Sequence, residues 1–173
     1  SLLVFILIKK LAPQNVNVAL ITAAFFALHP LHVESVAWVS ERKDVLYTFF
    51  FLLSLIFYTD YLKTGQLKNL LLTGLLFLLS CFSKSAAVIL PLVMLLFDYY
   101  LNRKFTWKTI AEKIPFFAIS LVFGLLAMNS QKAAMPVTEE QIIPFLDRIF
   151  IVSNSFISYI IKAFVPYHLS ALY

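Results

Sequence analysis

Cysteine occurs once in this 173-residue chain, at Cys81, so neither an internal disulfide nor a cysteine metal cluster is open to it. Charge is scarce as well. Asp, Glu, Lys and Arg make up 13% of the residues, about half the roughly 25% usual in soluble domains, while apolar and aromatic residues reach 61%. That balance excludes a water-soluble globule. The net charge of +5 comes with no basic stripe or tail, so a nucleic-acid-binding surface is excluded too. The start, Ser1 to Ile8, lacks both the charged leader and the small-residue cleavage pattern of a signal peptide, and reads instead as a truncated span. With Tyr173 arriving without a polar tail, the chain reads as a fragment. No internal repeat, low-complexity stretch or interdomain linker breaks it, so residues 1–173 form a single membrane domain.

What remains is a succession of apolar runs: Leu2 to Ile8, Asn15 to Leu28, Val45 to Leu62, Leu67 to Phe82, Ala86 to Tyr100, Pro115 to Met128 and Leu146 to Val165. In hydrocarbon every backbone polar group needs an internal partner, and runs this long without alternation achieve that as helices rather than barrel strands. The expected fold is therefore all-α, a polytopic transmembrane helix bundle of about six spans plus a truncated one. Several runs are shorter than the roughly 17 to 25 residues of an ordinary span, so their helices should extend into the flanking polar segments. Thr109 and Glu112 have capping-box spacing, which predicts a short interfacial helix after Thr109, with Pro115 opening the next span. Pro91 should kink the helix that contains it.

Cations divide unequally between the two ends. Lys9, Lys10, Lys63, Lys68, Arg103, Lys104, Lys108, Lys113 and Lys162 fall on one side with Asp60, Asp98 and Glu112. Arg42, Lys43, Lys84, Lys132 and Arg148 fall on the other with six acidic residues. The first side is expected to be cytoplasmic and the second extracytoplasmic. Asp98, followed by Tyr99 and Tyr100, reads as part of an aromatic belt with local hydrogen bonding, without a catalytic role.

The richest stretch for chemistry is His29 to Asp44, HPLHVESVAWVSERKD, on the expected extracytoplasmic side. It holds seven ionisable groups in sixteen residues, and groups so near a bilayer need partners or water. Pro30 should end the preceding span at His29. Ser40, Glu41 and Asp44 fit a helix start with acidic residues in its first turn. Interfacial anchoring accounts for the same residue types. The spacing of His29, His32 and Glu34 does not match HExxH, so no metal ligands are assigned and a divalent metal is left open. Lys84, between Ser83 and Ser85, is either a hairpin residue that reaches water or, with Arg42 and Lys43 on the same side, a cation for the phosphate of a lipid headgroup.

The run ALHPLHVESVAWVSERKDVL, Ala27 to Leu46, resembles the hallmark of bacterial membrane proteins that carry tetratricopeptide repeats. These are related to the animal transmembrane and tetratricopeptide-repeat protein O-mannosyltransferases of the GT-C superfamily. SKSAAVILPLVMLLFDYYL, Ser83 to Leu101, and PYHLSALY, Pro166 to Tyr173, are similar to that family too. The resemblance implies a GT-C-like bundle in a bacterial inner membrane that transfers a sugar from a polyprenyl-phosphate donor to a protein hydroxyl on the extracytoplasmic side. No covalently bound cofactor is implied. The main catalytic base is expected in a loop upstream of this chain, and helical repeats beyond its end, so the fragment alone would not turn over. By position in the motifs, His29, His32, Glu34, Arg42, Lys43, Asp44 and Lys84 would line the donor and acceptor cavity, with Glu34 and Asp44 as candidate catalytic carboxylates. Ser85 departs from the Glu usual at that position in the animal branch, which bears on protein O-mannosylation. Two other readings stand beside the enzyme: a transporter or channel, which usually carries mid-membrane charges and paired broken helices, and a non-catalytic anchor for a repeat domain.

Overall fold

In a computed structural model, residues 1–30, 38, 41–134 and 144–164 are described. Among them the regular elements are helices: α1 (Leu2–Leu11), α2 (Val16–Leu28), α3 (Arg42–Thr64), α4 (Leu67–Ser83), a 3-10 turn (Ser85–Ile89), α5 (Leu90–Tyr100), α6 (Trp107–Ala111), α7 (Ile114–Ala134) and α8 (Phe145–Phe164). Each expected run became a helix that starts or ends within a few residues of its apolar limits. The extension into polar flanks is clearest in α3, whose first turn is Arg42, Lys43 and Asp44.

Only part of the expected span count is met. Among the described residues two helical stretches, Arg42–Thr64 and Trp107–Gln131, are long and apolar enough to cross a bilayer. At 1.5 Å per residue the 23 residues of α3 reach about 35 Å, beyond the roughly 30 Å of a hydrocarbon core. The apolar helices Val16–Leu28, Leu67–Ser83 and Ser85–Tyr100 are shorter than that test demands.

Among the described residues the α3 and α4 pair forms the most extensive contact, and α3 also packs on α1 and α5. The two helices can run antiparallel because Gly65 adopts φ 68°, a left-handed turn that ends α3, with its N–H donating to the Tyr61 carbonyl at 2.8 Å. Apolar packing alone distinguishes a helix poorly from lipid, so polar groups supply specificity. Ser54 Oγ donates to the Thr73 carbonyl at 2.9 Å, and Ser80 Oγ to the Tyr47 carbonyl at 2.9 Å, one bond in each direction across the pair. Around these bonds Leu55, Tyr58, Phe77 and Cys81 form the core, which Leu90, Met94 and Phe116 extend toward α5 and α7.

Two local expectations are corrected. Pro91 does not bend a continuous helix; it sits in the first turn of α5, after the 3-10 turn Ser85–Ile89, where its missing N–H leaves no helical bond broken. The capping box is formed by Thr106 and Thr109 rather than by Thr109 and Glu112. The Thr106 N–H donates to Thr109 Oγ1 at 2.7 Å and the Thr109 N–H to Thr106 Oγ1 at 3.4 Å. Glu112 is drawn away by Arg103, whose Nη2 lies 2.8 Å from its carboxylate. Pro115 opens α7 at its second residue, as its sequence position indicates.

Removing the Ser54 hydroxyl leaves the helix shapes intact and deletes one bond across the α3–α4 pair. Ser54→Ala is expected to lower the unfolding free energy by about 0.6 to 1.5 kcal/mol, measured by denaturation in detergent.

Candidate functional site

Polar side chains gather at the two ends of α3. Asp44 lies in its first turn and Tyr58 fourteen residues on, about 21 Å further along the axis.

At the N-terminal end of α3, Asp44 forms an ion pair with Lys84, the extended residue that follows α4. The antiparallel pairing creates this contact, since it brings the start of α3 beside the end of α4. The helix dipole favours a carboxylate in the first turn, so Asp44 is held from both directions. Both side chains are part-buried, with 34% of Lys84 and 21% of Asp44 exposed, so the charges remain within reach of water. Glu41, the N-cap of α3, stands 3.5 Å from Lys43. His29 caps the C-terminus of α2, its ring edge-on to Phe25 with centroids 5.1 Å apart.

An open cavity of about 750 Å³ adjoins this end. Leu2 and Leu3 of α1, Phe26 and Ala27 of α2, and Asp44, Val45, Thr48 and Leu52 of α3 line it. From Asp44 to Leu52 the wall runs about 12 Å down α3 and turns from charged to apolar. Such a slot can take an amphiphile with its polar head at Asp44 and its chain along the leucines.

Of the residues singled out in the sequence, the fold brings Asp44 and Lys84 into contact and sets Arg42 and Lys43 in the same helical turn as Asp44. His29 lies two residues beyond Ala27, which lines the cavity. His32 and Glu34 lie outside the described residues. Among the described residues, no group of three or more His, Cys, Asp or Glu side chains could hold a metal ion.

The opposite end holds a cluster that sequence reading missed. Asp98 is not part of a local aromatic belt: it is 1% exposed and bonded to residues far along the chain. It forms an ion pair with Lys113, itself 2% exposed, and accepts a hydrogen bond from the Tyr58 hydroxyl. Arg103 Nη1 lies 3.7 Å from it, and the Arg103 guanidinium also stacks over the Tyr61 ring at 5.5 Å. Burial works against the charged guanidinium, but the Glu112 hydrogen bond and the nearby Glu112 and Asp98 carboxylates outweigh it, holding Arg103 above the ordinary arginine value. Tyr99 and Tyr100 alone face outward as the belt reading requires. The available signal was Asp98 itself, an acid in LLFDYYL with no cation in the preceding or following three residues, which requires a partner from another helix.

A family model described as dolichyl-phosphate-mannose-protein mannosyltransferase matches residues 1–130. The human protein O-mannosyl-transferase TMTC1 is 42% identical over 52 residues, covering 30% of this chain and 6% of that protein, and the mouse protein of the same name matches equally. The Drosophila melanogaster protein O-mannosyl-transferase Tmtc1 is 33% identical over 86 residues, covering 50% of this chain and 10% of the relative. The chain thus covers a tenth or less of these curated relatives' length. No solved structure shows a significant match.

The buried pair at the second end predicts an asymmetric mutational response. Asp98→Leu leaves Lys113 buried without its carboxylate and is expected to cost about 3 to 5 kcal/mol, whereas adding Lys113→Met to that variant recovers much of the loss. Unfolding of the single and double variants in detergent checks this.

Proposed function

The chain belongs to the dolichyl-phosphate-mannose-protein mannosyltransferase family, and from that premise we propose that it is part of the membrane domain of a glycosyltransferase that moves a sugar from a polyprenyl-phosphate donor to a protein hydroxyl. The observation that carries this reading is the Asp44–Lys84 pair at the polar end of the cavity between α1, α2 and α3. A lipid-linked sugar presents the same polarity: a long apolar chain, a phosphate, then hydroxyls. In the proposed arrangement the prenyl chain lies along Leu3, Val45 and Leu52 and the phosphate meets Lys84, with Arg42 and Lys43 adding positive charge. Asp44 at the wet rim takes the acceptor proton, and Glu34 is a second carboxylate for that role. His29 and His32 hydrogen-bond sugar or acceptor.

The reaction is a substitution at the anomeric carbon. The acceptor oxygen forms the new C–O bond as its proton passes to a carboxylate, and the bond to the polyprenyl phosphate breaks. Negative charge then grows on the departing phosphate, where fixed cations stabilise it without reorganising. We place this end on the extracytoplasmic side of a bacterial inner membrane, because it carries fewer cations than the opposite end. An upstream loop bearing a further catalytic acid and downstream tetratricopeptide repeats that present the acceptor complete the enzyme. Charge gathered at helix ends, rather than at mid-membrane, favours chemistry at an interface over the transport reading.

The full-length protein with a polyprenyl-phosphate mannose donor tests the assignment. Lys84→Gln is expected to raise the donor KM, and Asp44→Asn to lower kcat by about 10²-fold or more as a proton acceptor is lost. If Asp44 acts solely by holding Lys84, both variants show the same KM effect. Unchanged transfer in both overturns the cavity assignment.

A further inference from the structure

The end of α3 remote from the proposed catalytic cavity carries a second concavity. It measures about 280 Å³ and is lined by Leu62 and Lys63 of α3 together with Leu101 and Arg103, which follow α5. Two cations and two leucines therefore face one small space. Their charges differ in how far they are offset. Arg103 shares the Glu112 carboxylate at 2.8 Å, and Asp60 is taken by Lys10. Lys63 instead donates to the Lys10 backbone carbonyl at 2.8 Å, a bond that fixes its position and leaves its full charge in place. Both cations lie near helix C-termini, where the dipole helps to hold them without neutralising them. Lys9, Lys68, Lys104 and Lys108 add positive charge to the same end of the sequence pattern.

The surroundings place this concavity at the depth of a lipid headgroup. Trp107 is 79% exposed and Tyr99 75%, beside exposed Tyr100 and Phe105, the residue types that settle at a membrane–water boundary. We infer that the Lys63–Arg103 concavity binds the phosphate of an anionic phospholipid, with Leu62 and Leu101 against the first part of its acyl chains. The Lys63 ammonium supplies the point charge that meets the phosphate, while Arg103, held by Glu112 and near Asp98, adds positive potential to the lining. The role is distinct from donor binding, because the concavity lies at the far end of α3.

Full-length protein in nanodiscs of equal phosphatidylglycerol and phosphatidylcholine, released into native mass spectrometry, tests this. Wild type is expected to retain phosphatidylglycerol in preference to phosphatidylcholine. Lys63→Gln, which keeps a donor for the Lys10 carbonyl, should reduce that retention roughly fivefold, the effect of one cation near a charged leaflet. Lys68→Gln removes the same charge from outside the lining and should change retention less than about twofold. Equal losses in the two variants would reveal diffuse attraction and overturn the site, as would wild-type protein that retains both lipids alike.

Discussion

Charge buried against apolar helices must be neutralised on the spot, and two ion pairs do so at the two ends of α3. Asp44 and Lys84 join the start of α3 to the end of α4. Asp98 and Lys113 join α5 to the approach to α7, and Tyr58 of α3 donates to the same carboxylate. Each pair meets only when the helices lie in one particular order, whereas leucine against leucine tolerates many. Burying an ion pair contributes little net stability, but leaving one partner alone is costly, so the pairs act mainly against wrong arrangements.

The two ends nevertheless differ in kind. Asp98 and Lys113 are sealed within the bundle, where the Tyr58 hydroxyl donates to the carboxylate and the Arg103 guanidinium lies 3.7 Å from it, as in a structural lock. Asp44 and Lys84 stay part-exposed, and Asp44 borders an apolar slot. A buried pair rigidifies; a pair at a wet rim can exchange partners. The part-exposed and the buried arrangement meet the same helix at Asp44 and Tyr58, about 21 Å apart along its axis.

Much of this plan could be read from the residues. Apolar runs located the helices, and Glu41 and Asp44 marked the start of α3, where Glu41 is the N-cap; Ser40 lies outside the described residues. Other features depended on competition between neighbours. Glu112 had the spacing to cap a helix, but Arg103 offered a charged partner and Thr106 a better reciprocal cap. Asp98 stood beside two tyrosines that suggested an interfacial belt, yet its side chain turned inward while theirs turned out. Successive positions on a helix face different directions, so proximity in sequence concealed opposite environments.

By itself the amino-acid order determined that this chain is helical and membrane-embedded, which residues carry charge, and which family signature they form, because hydropathy and residue type are properties of local sequence. Only the tertiary structure decided that Lys84 answers Asp44, that Lys113 answers Asp98, and that residues of three helices line an open slot beside Asp44. The two ion pairs join residues 15 and 40 positions apart, and their geometry follows from helix packing, which no single stretch of sequence contains.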